Sequence, residues 1–244
     1  MLPLVKGRYT ARMATTPQDK ARAQALRHLC FITNRGLVTT ANDAFDRKSQ
    51  HILVEDTLTQ TLVCCFRLMH FTSGADIPAS YSAQFYDLSR LAAYPGGMAE
   101  LGRFCIHPSH PDPDILRIAW GALTRIVDAT ATQMLFGCTS FDGADPAKHQ
   151  PALALLKDAH AAPNQWRPGV KSTHIYPFAH LPCTSPKDAT TTMPPLLRTY
   201  LGMGGWVSDH AVIDEALNTL HVFTALEINA IPPARARLLR NLAA

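Results

Sequence analysis

Residues 51–69 place the strongest constraint on the fold, because they have the pattern of two strands joined by a short turn. The segments 51–55 and 61–69 are rich in apolar, β-branched and aromatic residues, and residues 56–60 between them are polar. Two strands that are joined so closely must run antiparallel. The segment therefore predicts a hairpin and excludes a purely parallel sheet.

Helical segments alternate with further strands along the chain. Thr16-Pro17 has the pattern of an N-cap followed by the first helical residue, and predicts a helix that runs to about Gly36. A second helix is predicted over 114–133, and a short one near 214–217 after Trp206–His210. We expect an α/β (α+β) fold with a mixed central sheet and flanking helices. Residues 1–180 would form the core, and 181–244, which begin with a Pro/Thr/Ser-rich connector, an extension packed on it.

A predicted strand at Glu100–Ile106 carries two charges that a buried strand does not ordinarily contain. Glu100 and Arg103 stand in the run Glu-Leu-Gly-Arg-Phe-Cys-Ile-His-Pro. Charges are costly to bury unless they are paired or used. From this segment alone, a structural ion pair and the wall of a substrate pocket are equally good interpretations.

Composition limits the location and the partners of the protein. Six cysteines without a CxxC pair, most of them in apolar runs, predict reduced core residues in a cytosolic protein. No apolar run reaches the length of a membrane-spanning helix, and no signal peptide is evident. The net charge is +4, and residues 1–41 contain a single acid, Asp19, among many basic residues. A basic end suits an acidic carrier protein, a nucleic acid or an anionic membrane, although an ordinary solvated helix is an equal alternative.

Several motif-based functions are excluded or disfavoured. Gly202-Met-Gly-Gly205 lacks the spacing of a phosphate-binding loop, and no GxSxG elbow is present. His107 and Asp112 have the H-x4-D spacing of a catalytic pair, but prolines interrupt it, so we favour loop histidines. His107 and His110 lack further ligand-like neighbours, and we expect no metal.

Two acids flank a phenylalanine in the loop before the hairpin, at Asp43 and Asp46. Exposed loop acids are common. However, an amine substrate needs anionic partners, because an ammonium group must be held and deprotonated before it can attack an acyl carbon. The pair gains significance only beside Arg67, Glu100 and Arg103.

The order of these residues carries a family resemblance. Arg27-x-x-x-Phe31, Asp43-x-x-Asp46, Arg67 and Glu100-x-x-Arg103 resemble the pattern of acyl-homoserine-lactone synthases, within the GNAT-like acyltransferases. Longer segments resemble a sister group, the ornithine-acyl carrier protein N-acyltransferases that begin ornithine-lipid synthesis. These segments are 43–46, Tyr81-Ser82 with Phe85, 100–108, 136–143, 197–205 and 217–223. The resemblance covers about residues 7–240.

The resemblance implies a GNAT-like fold with a mostly antiparallel sheet and a splayed strand, and an enzyme that acylates the α-amino group of L-ornithine. It implies catalytic roles for Glu100, Asp46 and Arg103. Substrate contacts are implied at Asp43, Arg67, Arg27, Phe31, Phe104 and Ser140. Glu100 is our candidate base, Asp43 and Asp46 would hold ammonium groups, and Arg103 or Arg67 would bind the carboxylate or orient the acids.

The donor is expected to be a 3-hydroxyacyl group on acyl carrier protein. The loop His107–Pro113 stands where a typical GNAT has a Gly-rich loop for coenzyme A, and it contains prolines and aspartates instead. No cofactor of its own is therefore expected, because the phosphopantetheine arm arrives on the carrier. The candidate residues for carrier docking are Arg8, Arg12, Lys20, Arg22, Arg117 and Arg125.

Alternatives remain open at this point. Homoserine-lactone synthesis would use S-adenosylmethionine as acceptor, and a non-catalytic, membrane-interacting protein would use neither substrate. No nucleic-acid partner is expected. The Arg-rich end, with Arg235, Arg237 and Arg240, either caps the fold or contacts an anionic membrane at the inner face.

Overall fold

The computed structural model describes residues 3–38, 44–182, 189 and 192–244. These residues fall into two compact units, each assembled from separate stretches of chain. The first unit comprises 1–70, 101–132 and 233–244, and the second comprises 71–100 and 133–232. The predicted extension, 181–244, contributes to both units.

The described residues of the first unit contain strands of one sheet and three helices. Its elements are β1 (Leu4–Lys6), β2 (Tyr9–Met13), α1 (Pro17–Phe31), β3 (Gln50–Asp56), β4 (Leu62–Phe71, of which 62–70 belong here), the later part of β6 (Met98–Ile106), α2 (Pro113–Ala129) and the C-terminal helix, named α5 (Pro233–Ala243). The strand order is β1-β2-β3-β4-β6, and the ladders from β1 to β4 are antiparallel. The β3–β4 pair confirms the predicted hairpin.

Helix α1 begins where its sequence predicts. The Thr16 side chain accepts a hydrogen bond from the Asp19 backbone N–H, and the Asp19 carboxylate accepts one from the Thr16 N–H, so the two form a capping box before Pro17. The helix ends at Phe31, earlier than predicted, because a short 3-10 turn follows and Gly36 closes it at φ +66°. Its apolar face packs Ala23 and Leu26 against side chains of β3, β4 and β6.

Helix α2 has a broad apolar face that packs on β1, β2 and α5. Asp112 caps its first turn, and Gly121 lies where α5 approaches most closely, since a Cβ there would come within 2.6 Å of the Leu242 carbonyl oxygen. The helix ends at Ala129, four residues before the predicted end. Thr130 bonds back to the Ile126 carbonyl, and Ala131 takes the left-handed conformation.

The described residues of the second unit contain the rest of the sheet and further helices. Its elements are β5 (Tyr86–Asp87), the start of β6 (98–100), β7 (Met134–Asp142), α3 (Gln150–Ala159), β8 (Gly169–Val170), β9 (Ile175–Pro177), α4 (Pro195–Gly202), β10 (Trp206–Val207), β11 (His210–Asp214) and β12 (Thr219–Glu227). The strand order is β6-β7-β12-β11-β9, with β10 beside β12, and β5 pairs with β8. Strands β6 and β7 are parallel over three residue pairs only, up to Glu100–Phe136.

One predicted element is wrong. The short helix predicted near 214–217 does not form: Asp214 ends β11, residues 215–217 belong to a turn that leads into β12, and Trp206–His210 before it contribute to β10 and β11. The cause is pairing, because Val207 and Val212 each lie opposite β12 in antiparallel ladders and are fully buried there. The mostly antiparallel sheet with flanking helices confirms the predicted fold class.

Candidate functional site

The first unit brings three of the predicted site residues together in one buried ion group. Arg27 on α1 donates to both oxygens of Asp46, with its Nη1 2.8 Å from Oδ1, and Arg67 on β4 donates from Nη1 to Oδ1 at 2.7 Å. The three residues are 1%, 8% and 4% exposed respectively. Gln24 also donates to Asp46 Oδ2, at 3.3 Å. We call Arg27, Asp46 and Arg67 the buried ion group.

Electrostatics keeps the Asp46 carboxylate ionised. Burial alone would raise its pKa, but the hydrogen bonds and charge of Arg27, with those of Arg67, outweigh that effect and hold the pKa well below its usual range. His51 donates from Nε2 to the Asp46 carbonyl at 3.0 Å, and burial lowers the pKa of His51. The neutral imidazole thus fixes the backbone of this turn. A carboxylate with two guanidinium partners is well suited to orienting them.

Glu100 lies in the second unit and is buried. Its Oε1 accepts hydrogen bonds from the Ser82 N–H at 2.7 Å and the Ser82 hydroxyl at 2.6 Å, and its Oε2 accepts one from the Tyr81 N–H at 2.8 Å. Cys138 on β7 donates its thiol to Ser82 Oγ at 3.4 Å. The carboxylate is therefore held at a defined position by the turn before β5.

Strand β6 carries Arg103 in a strained conformation. Its φ is +53°, in the left-handed region that residues other than glycine, asparagine and aspartate seldom adopt. The preceding Gly102 admits Arg67, whose Nε would lie 3.2 Å from a Cβ at that position. Phe104 stacks on Phe66 of β4, with ring centroids 5.5 Å apart. Backbone strain of this kind concentrates at functional sites.

The other predicted substrate residues are less well connected. Phe31 is half-buried at the end of α1, beside the apolar cluster of that helix. Ser140 is exposed on β7, opposite His221 of β12. Asp43 lies outside the described residues, so its role stays a prediction.

Most of the predicted docking residues have partners within the first unit. Arg8 pairs with Asp56, Arg12 with Asp19 and Glu55, and Arg22 with Glu55. Arg125 donates to the backbone carbonyls of Pro3, Ala243 and Ala244. Lys20 is exposed, and Arg117 forms an exposed pair with Asp114, which costs little to break. Lys20 and Arg117 are therefore the two candidates best placed to meet a partner.

Two residues of the site were not predicted as site residues, although Tyr81 and Ser82 stood in the resembling segments. Nothing in the local sequence shows that their N–H groups reach Glu100, eighteen or more residues later.

His107 and Asp112 have a spacing that suggests a catalytic pair, but the structure gives Asp112 a structural role. Asp112 accepts a hydrogen bond from the Tyr9 hydroxyl at 2.7 Å and caps α2, which fits the loop interpretation of the H-x4-D spacing. Within the described ranges, no group of three or more His, Cys, Asp or Glu side chains is arranged to hold a metal.

A domain model and solved structures identify the fold. An acetyltransferase (GNAT) domain model matches residues 26–121. The structure of FeeM, an N-acyl amino acid synthase from uncultured soil microbes, superposes with a TM-score of 0.54 at 11% identity, over 92% of this chain and 94% of that one. That of TofI gives 0.52 at 13% identity, over 96% and 98%. These likenesses define the fold as that of a GNAT-type acyltransferase.

Sequence relatives then define the family. The chain is 30% identical to an L-ornithine N(alpha)-acyltransferase of Rhodobacter capsulatus, over 91% of both chains. It is 31% identical to one of Brucella abortus, over 92% of this chain and 86% of the relative. The chain belongs to the L-ornithine N(alpha)-acyltransferase family and is an acyltransferase, which removes the non-catalytic alternative.

Proposed function

We propose that the protein transfers a 3-hydroxyacyl group from acyl carrier protein to the α-amino group of L-ornithine, which gives a lyso-ornithine lipid. The assignment of ornithine as the acceptor rests on the match, along about nine-tenths of the chain, to relatives named as ornithine acyltransferases. The competing acceptor, S-adenosylmethionine, rests on the residue pattern that resembles acyl-homoserine-lactone synthases. The likeness to FeeM and TofI does not add support for it, because that likeness shows the fold alone.

Direct attack suffices for the chemistry. The α-ammonium group of ornithine loses a proton, its nitrogen attacks the thioester carbonyl carbon, and the carbon–sulfur bond then breaks. The nitrogen loses a second proton as the amide forms, and the phosphopantetheine thiolate leaves and takes up a proton. We assign the removal of the ammonium proton to Glu100, directly or through a water molecule, and oxyanion stabilisation to backbone N–H groups near 104–106 of β6.

The binding of the substrate is assigned to the arginines. A guanidinium group is the side chain best matched to the substrate carboxylate, because its planar fork donates two parallel hydrogen bonds. We assign this contact to Arg103, with Arg67 as the second candidate. The buried ion group supports a positioning role for Asp46, since both of its oxygens already accept from arginines. Ammonium binding then falls to Asp43 in this proposal.

A carrier-delivered donor accounts for two further features. The loop 107–113 has prolines and aspartates where coenzyme A binders have glycines. Lys20 and Arg117 offer exposed positive charge to an acidic carrier. The enzyme itself then needs no bound cofactor, and a cytoplasmic location follows from the carrier.

Peripheral contact with an anionic membrane is part of the same proposal. Arg235 and Arg237 on α5 are exposed, whereas Arg240 pairs with Asp128 at 3.3 Å, so the helix both packs on the fold and presents basic side chains. No helix among the described residues is long and apolar enough to cross a bilayer.

Product analysis tests the proposal. Purified protein is incubated with 3-hydroxyacyl carrier protein and L-ornithine, and the products are identified by mass spectrometry. N-acylornithine is the expected product. The parallel reactions contain 3-hydroxyacyl coenzyme A as donor or S-adenosylmethionine as acceptor. Equal rates with the coenzyme A ester would overturn the carrier assignment, and a homoserine lactone would overturn the acceptor.

A further inference from the structure

The loop 107–113 and the first turn of α2 stand where a typical GNAT binds the pyrophosphate of coenzyme A. The start of a helix binds an anion through backbone N–H groups that have no acceptor within the chain. Such a site also needs an absence of negative side chains, because the helix dipole favours whichever anion lies closest to it. Whether this stretch fits a pyrophosphate therefore depends on where its N–H groups donate and on which charges surround them.

The N–H groups of the loop are used within the chain. The His107 N–H donates to the Val63 carbonyl of β4 at 2.8 Å, and the His110 N–H donates to the His107 carbonyl at 2.9 Å. The Ser109 N–H donates to the Nδ1 atom of His107 at 3.2 Å. The residues of the loop that have no N–H group are the prolines at 108, 111 and 113. The loop thus lacks the row of outward donors that holds a pyrophosphate.

Asp112 closes the start of α2 itself. Its Oδ1 accepts a hydrogen bond from the Asp114 N–H at 2.9 Å, and its carbonyl accepts one from the Ile115 N–H at 3.2 Å. Its Oδ2 accepts one from the Tyr9 hydroxyl at 2.7 Å, and this bond is the main reason why the pKa of Asp112 is lowered. Asp114 adds a second carboxylate in the same turn. An ionised carboxylate, held through both oxygens, therefore stands where an anionic ligand would bind.

We propose that Asp112 is a donor-specificity residue, which excludes the pyrophosphate of coenzyme A from the start of α2. Within 107–115, Asp112 alone keeps an N–H group without an acceptor in the chain, and its own carboxylate repels the phosphates. Coenzyme A brings a pyrophosphate and a ribose phosphate, whereas the arm on a carrier protein has a single phosphodiester. The resulting preference for a carrier-bound thioester rests on the function proposed above, but the exclusion of coenzyme A does not.

Titration calorimetry with coenzyme A and with pantetheine, which has the same thiol arm but no phosphate, tests the exclusion without any acyl transfer. The wild type should bind coenzyme A no more tightly than pantetheine. Asp112→Gly removes the carboxylate and releases the Asp114 N–H and the Tyr9 hydroxyl, so it should bind coenzyme A about tenfold more tightly than the wild type does. Asp112→Asn should gain less, because its amide oxygen can still accept from the Asp114 N–H. Both residues are accepted N-caps, so both variants should fold.

The matched control is Asp145→Gly. Asp145 also caps a helical turn, with its Oδ1 3.0 Å from the Ala147 backbone nitrogen, but it belongs to the second unit. This variant should bind both ligands as the wild type does. Wild-type binding of coenzyme A about tenfold or more tighter than that of pantetheine, or equal affinities for coenzyme A in Asp112→Gly and Asp145→Gly, would overturn the proposal. A failure of acyl transfer from the carrier would instead overturn the proposed function and leave the binding result standing.

Discussion

Ser82 donates two hydrogen bonds to a single carboxylate oxygen of Glu100, one from its backbone N–H at 2.7 Å and one from its hydroxyl at 2.6 Å. The adjacent Tyr81 N–H donates to the other oxygen. One turn of chain thus determines where the carboxylate points. Only the hydroxyl contact can be removed by substitution without changing the backbone.

Ser82→Ala should lower kcat about tenfold and leave the KM for the acyl carrier unchanged. The reason is that a hydrogen bond to a buried charged group, worth about 1.5–3 kcal/mol, is lost while the docking surface is intact. Steady-state kinetics measures both constants. Ser80→Ala is the control, because the Ser80 hydroxyl is buried in the same turn and accepts from the Ala83 N–H. Equal losses in the two variants would show that the effect is one of turn stability.

Asp46→Asn should lower the free energy of unfolding by about 3–5 kcal/mol. The substitution removes the negative charge that two buried arginines share, and an unpaired buried charge is strongly destabilising. Chemical denaturation measures the change. Glu55→Gln is the comparison, because Glu55 pairs with the more exposed Arg12 and Arg22 and should cost about 1 kcal/mol or less. Similar costs for both variants would contradict the picture of a tightly buried group.

The lowered pKa of Asp46 also leads us to expect a loss of stability in acid. Its folded-state pKa is held below the value of about 3.9 in the unfolded chain, so the folded state binds its proton less readily. The contribution is complete above about pH 4 and falls as the pH drops further. Unfolding free energies at pH 5 and pH 3 should therefore differ less in Asp46→Asn than in the wild type. An equal difference in the two proteins would show that Asp46 does not contribute to the loss of stability in acid.

Protonation of His221 should lower the stability of the fold in a second, separate pH range. Burial, with a smaller effect from His210, lowers the pKa of His221 to about 4, against about 6.5 in an unfolded chain. The unfolded state therefore binds a proton more readily between these values, and stability falls by roughly 3 kcal/mol as the pH drops from 6.5 to 4. His221→Gln should flatten this part of the profile. His174→Gln, at an exposed position, should leave it unchanged.

Charge reversal tests the docking surface. Lys20→Glu with Arg117→Glu should raise the KM for the acyl carrier several-fold at low salt, leave kcat unchanged and weaken the salt dependence, because attraction becomes repulsion. Lys148→Glu reverses an exposed charge in the second unit and serves as the control. An unchanged salt profile in the double variant would remove these two residues from the docking surface.

The sequence predicted the elements whose signals are local. The 51–69 hairpin and the capping box at Thr16 depend on residues a few positions apart, and both are confirmed. The stretch from 206 to 217 was misassigned because pairing with β12 decides its conformation: the partners of β10 lie 17 to 19 residues away and those of β11 five to nine. Local propensity cannot register such pairing.

In the site, too, the sequence indicated which residues matter but not their long-range contacts. The order of Arg27, Asp46 and Arg67 indicated that they belong together, but not that Asp46 serves the two arginines, which lie 19 and 21 residues away. The docking arginines looked equivalent in sequence. Arg8 and Arg12 differ from Lys20 in the structure because neighbouring strands or turns bring carboxylates to them.

The left-handed backbone at Arg103 implies a conflict between the stability of the fold and the substrate contact proposed for this residue. Glycine adopts a φ near +53° without steric cost, whereas a side chain there costs about 1–2 kcal/mol. A sequence optimised only for thermal endurance would place glycine at 103, one position after the glycine it already has. Stabilised variants of this enzyme, selected for heat resistance without an activity screen, should therefore accumulate changes at position 103, and with them lose the guanidinium group to which we assign the substrate carboxylate.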